Sequence, residues 1–99
     1  MKTLFARLVR RKPASKPIRV EVYTRAQCSC CDKAMELLKP FTRRFSLTIK
    51  TIDVDADSAL KEKYDLLVPV VAINGRERFR GSINPILLER ILWSEGRGD

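Results

Sequence analysis

Residues Ile18 to Cys31 read IRVEVYTRAQCSCC, and this stretch decides the fold. Its first half, Ile18-Arg19-Val20-Glu21-Val22-Tyr23, alternates apolar and polar residues, the period of a strand with one buried face. A short polar connection, Thr24 to Gln27, follows. From Cys28 the period changes: Cys31, Met35, Leu38 and Phe41, with Ala34 and Leu37 beside them, follow helical spacing. Three cysteines, Cys28, Cys30 and Cys31, thus fall at a strand-to-helix junction, and Pro40 is expected to kink or stop the helix.

Downstream, Phe45, Leu47 and Ile49 alternate with Ser46, Thr48 and Lys50, giving a second strand that runs toward Ile52. Asp57 or Ser58 can cap a short helix carrying Leu60 and Tyr64. Val68 to Ile73 reads as a buried strand with a proline near its start, and Asn74-Gly75 joins it by a tight hairpin to a strand at Arg76 to Arg80. Arg76, Arg78 and Arg80 are expected on one face of that strand, solvated or protecting an edge. Gly81 breaks the chain, Asn84-Pro85 opens a helix, and Leu87, Leu88, Ile91 and Leu92 form its apolar stripe. Trp93 is expected to pack at the core or helix end.

The element order is therefore β-α-β-α-β-β-α. A βαβ unit makes its strands parallel and the Asn-Gly hairpin makes its pair antiparallel, so the expectation is an α/β domain of thioredoxin size, a mixed four-stranded sheet flanked by helices.

Composition narrows the chemistry. The chain has 99 residues, 20 Lys+Arg, 12 Asp+Glu and no His. One domain with one modest core fits that length. Without His there is no Ser-His-Asp or Cys-His nucleophile pair and no His-ligated metal. A closed zinc site would need Asp32 or a second chain, so no metal ligand set is expected. Asp53, Asp55 and Asp57 lack the Gly and Glu of a calcium loop and read as a solvated loop and helix cap. No apolar run is long enough to span a bilayer.

Residues 1–17 form a basic arm and linker, 18–95 the domain, and 96–99 a tail. Residues 1–19 carry seven of the positive charges and no acid, so the formal charge of +8 sits mainly on the arm. Leu4, Phe5, Leu8 and Val9 could form one apolar stripe there. The arm is expected to be a basic tail or packed helix, with contact with an anionic surface such as a membrane or nucleic acid, or a targeting role, as the alternatives. A secretory signal does not fit, since Arg7 interrupts an already short apolar run. No specific nucleic-acid partner is expected.

Three cysteines within four residues cannot staple distant parts of a fold, which points to a reducing, cytoplasmic setting and a reactive or ligating role. At the first turn of a helix, backbone N–H groups and the helix dipole favour a thiolate at Cys28, with Arg25 and Lys33 as local cations; Cys31 is placed to resolve a mixed disulfide. Cys30, about 100° away around the helix, reads as packing filler or a modulating thiol.

From Ile18 to Leu92 the chain resembles a glutaredoxin-like member of the thioredoxin superfamily: Cys28-x-x-Cys31 after the first strand, Val68-Pro69 before the third, a hairpin, then a final helix. The resemblance implies a cis Pro69 facing the dithiol and a Val68 backbone that pairs with a bound peptide or glutathione. It implies that Arg25 supports the thiolate or a glutathione carboxylate, and that Gly81 and Ser82 lie in the substrate segment. Ser29-Cys30 stands where glutaredoxins place Pro-Tyr, and Gly81 to Asn84 has one glycine and no acid. The expected activity is thiol–disulfide exchange on disulfide-containing proteins or small thiols, by a monomer that binds no cofactor and draws electrons from glutathione as co-substrate or from a partner reductase. The competing expectation is a redox-inactive binding module, or an iron–sulfur or metal carrier that presents the cysteine cluster.

Overall fold

The computed structural model describes residues 16–97. The amphipathic stripe of the basic arm and the last two residues of the tail lie outside that range.

Strand β1 (Ile18–Thr24) buries Ile18, Val20 and Val22 completely, as its alternation requires. Helix α1 (Ser29–Thr42) follows, then β2 (Leu47–Asp53), a 3₁₀ turn (Val54–Ala56), α2 (Ser58–Tyr64), a second 3₁₀ turn (Asp65–Leu67), β3 (Val70–Ile73), β4 (Arg76–Arg80) and α3 (Pro85–Glu95). The sheet order is β2-β1-β3-β4. β1 and β2 are parallel, while β1 with β3 and β3 with β4 are antiparallel. The mixed four-stranded α/β sheet read from the sequence is the one formed.

One face of the sheet packs against both long helices. Val20, Val22, Val71, Ile73 and Phe79 join Ala34, Leu38 and Phe41 of α1 and Leu88, Ile91 and Leu92 of α3 in a continuous core. On the other face Val70 meets Val54 and Tyr64, with Tyr23, Leu60 and Val68 packed around them. That smaller cluster ties α2 and the first 3₁₀ turn to Tyr23, near the end of β1 from which the cysteine loop departs.

Local signals set most boundaries. Asp57 caps α2 by accepting from the N–H groups of Ala59 and Leu60. Asn84 caps α3, accepting from Ile86 at 3.0 Å and Leu87 at 3.1 Å, with Pro85 in the first turn where its missing N–H costs nothing. Asn74 and Gly75 both have positive φ, 50° and 85°, the geometry of a two-residue hairpin turn. Asn74 also accepts from the Arg19 N–H and donates to Glu95, tying the hairpin to β1 and to the end of α3.

Three expectations need correction. Arg76, Arg78 and Arg80 do not share one face: Arg78 is an extra residue on β4 opposite Val71 and Ala72, a bulge that sets Arg76 opposite Ile73, Phe79 opposite Val71 and Arg80 opposite Val70. The extra residue shifts the side-chain parity, so Arg80 turns to pair with Glu77, three residues back. Leu87 is exposed rather than part of the α3 stripe, which narrows to Leu88, Ile91 and Leu92. Phe45 is fully buried but precedes β2, which begins at Leu47; the buried strand likewise starts at Val70, two residues after Val68. Helix α1 ends at Thr42, two residues beyond Pro40, near the stop expected there. Trp93 lies half-exposed at the helix end, its ring edge-on to Phe45 with centroids 5.0 Å apart.

Candidate dithiol site

Cys28 is the N-cap of α1, extended at φ −115° and ψ 104°. Its Sγ accepts a hydrogen bond from the Cys31 N–H at 3.2 Å, so sulfur takes the place that a serine or aspartate oxygen fills at most helix starts. Gln27, just before it, has φ 56°, a left-handed conformation that turns the chain sharply into the helix. Cys31 lies one turn inside α1 and is 3% exposed. The two sulfurs stand at disulfide distance, with Cα atoms 5.2 Å apart. Cys28 is partly exposed, so the dithiol presents one accessible sulfur and one protected sulfur behind it.

Cys28 opens into a groove of about 340 Å³ lined by Arg25, Gln27, Ser29, Cys30, Asp65, Leu66 and Val68. The Val68-Pro69 bond is cis, as the resemblance implied. Val68 is in the groove wall, whereas Pro69 is fully buried and its carbonyl accepts from the Gly81 N–H at 2.7 Å. Gly81 has φ 81°, which a residue without Cβ adopts freely at this crossing.

The two predicted cations are placed differently. Lys33 does not line the Cys28 groove; with Cys30, Ala34, Leu37, Gly81, Ser82 and Ile83 it lines a separate, largely apolar cavity of about 320 Å³. Arg25 does line the groove, but its charge is engaged. Its Nε donates to Asp55 Oδ2 at 3.2 Å, Nη2 to Asp55 Oδ1 at 2.6 Å and Nη1 to the Asp65 carbonyl at 3.0 Å. Asp65 Oδ1 is a further 3.6 Å contact. The hydrogen bond to Asp55 raises the pKa of Arg25 and holds the Asp55 carboxyl below the usual range. The acidic segment is thus more than solvent-facing: Asp53 caps the 3₁₀ turn, Asp57 caps α2 and Asp55 binds Arg25.

Cys30 also needs correction. It is exposed and touches both the groove and the apolar cavity, so it is no packing filler. The residues that sequence alone did not assign to the site are Asp55 and Asp65, which lie 30 and 40 positions beyond Arg25 in the chain and meet it only in the fold.

A cysteine pair at the mouth of a helix, with a cis Val68-Pro69 bond whose Val68 lines the same groove, on a β-α-β-α-β-β-α frame defines a thioredoxin-fold dithiol protein. Its structural neighbours have that fold. A Nitrosomonas europaea protein solved by NMR superposes at a TM-score of 0.71 with 19% identity, over 83% of this chain and 99% of the other. The oxidised mitochondrial thioredoxin 3 of Saccharomyces cerevisiae gives 0.59 and 16%, over 94% and 89%. In sequence, a probable thioredoxin of Methanothermobacter thermautotrophicus is 32% identical over 68 residues, 66% of this chain and 80% of that relative. The family described as Glutaredoxin-like domain (DUF836) matches residues 19–93, and the chain belongs to it.

Among the described residues no helix is long and apolar enough to cross a membrane.

Proposed function

We propose that this protein is a thiol–disulfide oxidoreductase in which Cys28 attacks and Cys31 resolves. The observation that carries the reading is the Cys28 Sγ held at the α1 N-cap by the Cys31 amide, with the buried Cys31 sulfur in bonding range. A thiolate there gains a hydrogen bond to charged sulfur and the favourable end of the helix dipole. It attacks one sulfur of a substrate disulfide, the substrate S–S bond breaks, and one substrate thiolate leaves. Cys31 then gives up its proton to solvent and attacks the Cys28 sulfur, releasing the second thiolate. Two electrons pass to the substrate and the protein is left with the Cys28–Cys31 disulfide.

Val68, extended at the groove wall, supports an extended peptide beside Cys28. In this reading the substrates are disulfides of proteins or small thiols, and glutathione or a partner reductase returns the dithiol to its reduced form. The clustering of all three thiols in one turn supports a reducing, cytoplasmic setting. For the carrier alternative, the described residues contain no group of three or more Cys, Asp or Glu side chains arranged to hold a metal ion.

The reading is tested with reduced protein and a model protein disulfide. Cys31→Ser should accumulate a mixed disulfide at Cys28, identified by peptide mass mapping, while Cys28→Ser should form none and turn over no substrate. Mixed disulfide at Cys30 in place of Cys28 would remove the assignment.

A further inference from the structure

We propose that Asp55 is a specificity-determining residue: by occupying the Arg25 guanidinium beside Cys28, it denies the groove a free cation, so the site disfavours anionic disulfides and takes those with uncharged or basic groups next to the sulfur. The inference rests on Cys28 being the attacking thiol.

Arginine captures a carboxylate best through two parallel N–H groups on one edge of its planar fork. Here the Nε–Nη2 edge is filled by both Asp55 oxygens, and Nη1 is directed at the Asp65 carbonyl. An incoming substrate carboxylate would have to displace Asp55. Val54 and Tyr64, the residues immediately before Asp55 and Asp65, are buried together in the cluster with Val70, which brings both aspartates to Arg25. Counting Asp65, the three groups carry a net charge of minus one at neutral pH. Arg25 and Asp65 both line the groove that contains Cys28, so a disulfide entering it meets that charge across the groove, a span over which salt screens only in part. Among the described residues, Lys33 lines the apolar cavity rather than the groove, and Lys61, whose charge also acts on Asp55, does not line the groove either.

The test uses full-length reduced protein at low ionic strength, oxidised under single-turnover conditions by three small disulfides: dithiodiglycolate (anionic), hydroxyethyl disulfide (neutral) and cystamine (cationic). Loss of the Cys28 and Cys31 thiols is followed by acid quench, alkylation and intact mass. The wild type should react in the order cationic, neutral, anionic. Asp55→Asn unmasks Arg25 and should raise the anionic-to-neutral rate ratio about three- to tenfold, the size expected for one unit charge acting across several ångströms near a protein surface. Arg25→Gln should lower the ratio below wild type, and Arg25→Gln with Asp55→Asn should return it close to the wild-type value, because the local charge is then the same.

An unchanged ratio in Asp55→Asn overturns the proposal, and so does a raised ratio that persists when Arg25 is also replaced. Should Asp55→Asn fail to fold, Asp55→Ser carries the same test: a rise supports the proposal and no rise overturns it. If the wild type reacts with none of the three disulfides, the assignment of Cys28 as the attacking thiol fails first. If it reacts with all three at rates insensitive to these substitutions, only the role of Asp55 fails.

Discussion

Alkylation of the reduced protein distinguishes Cys28 from Cys31 quantitatively. Two single-thiol variants are compared, Cys30→Ser with Cys31→Ser, which keeps Cys28, and Cys28→Ser with Cys30→Ser, which keeps Cys31. At pH 7 only about 3% of an ordinary cysteine thiol is ionised. At Cys28 the backbone N–H of residue 31 donates to the sulfur at 3.2 Å, and a hydrogen bond to a charged acceptor contributes about 1.5–3 kcal/mol. The helix start adds about 0.3–1 kcal/mol. Even the lower sum, about 2 kcal/mol, multiplies the ionisation constant roughly thirtyfold and brings about half the thiol into the reactive form, a gain of about fifteenfold. A stabilised thiolate is a weaker nucleophile, which takes back about a factor of five and leaves about threefold over a free thiol. Cys31, 3% exposed, reacts only when the helix start opens, so Cys28 should alkylate at least about tenfold faster. Iodoacetamide consumption followed by intact mass measures both rates. If Cys28 reacts more slowly than a cysteine peptide, or no faster than Cys31, the helix-mouth argument is wrong.

Other outcomes follow from packing, capping and charge. Leu38→Ala, which empties a fully buried site between α1 and the sheet, should lower the unfolding free energy in urea by about 2–5 kcal/mol. Asn84→Ala removes the acceptor for two N–H groups of α3 and should cost about 1 kcal/mol, a fall in Tm of roughly 4–8 °C by calorimetry, with Asn84→Asp recovering most of it. Asp55 and Glu89 both have carboxyls held below their ordinary range, by the hydrogen bond from Arg25 and by those from Arg44 and Trp93 respectively. Because each titrates lower folded than unfolded, its contribution is present above the ordinary carboxylate range and disappears as pH falls through the folded value. Thermal unfolding between about pH 5 and pH 2 should therefore lose less stability in Asp55→Asn and in Glu89→Gln than in the wild type; equal slopes would mean that these surface pairs contribute nothing to acid sensitivity.

What could be read from the chain is what neighbouring residues decide. The alternation from Ile18 to Tyr23, the switch to helical spacing at Cys28, the Asn-Gly turn and the Asn84-Pro85 cap act over a few residues, and each formed as its local pattern requires. The misreadings share the opposite origin. A strict period of two put Arg76, Arg78 and Arg80 on one face, but a bulge opposite Val71 and Ala72 is fixed by how β4 meets β3, and one inserted residue reverses parity for everything after it. Helical spacing placed Lys33 near the cysteines without saying on which side of Cys30 its chain would lie.

Arg25 is the instructive case, because it lines the groove with Cys28 and the sequence still left its electrostatic role open. A cation three residues before Cys28 is a thiolate stabiliser if nothing else reaches it. Two aspartates from separate turns, brought up by the small cluster around Tyr64, make it instead one member of a group with net negative charge. The favourable charge at Cys28 is then left to the helix start itself, whose N–H groups cannot be neutralised by a side chain from elsewhere in the fold. Substituting Arg25 should accordingly disturb substrate preference more than it disturbs the reactivity of the Cys28 thiol. The same Arg25→Gln protein tests both halves: at high salt, where a surface charge is screened, its iodoacetamide rate at Cys28 should stay within about threefold of wild type, while at low ionic strength its anionic-to-neutral ratio moves. A tenfold fall in alkylation rate would return Arg25 to direct stabilisation of the thiolate.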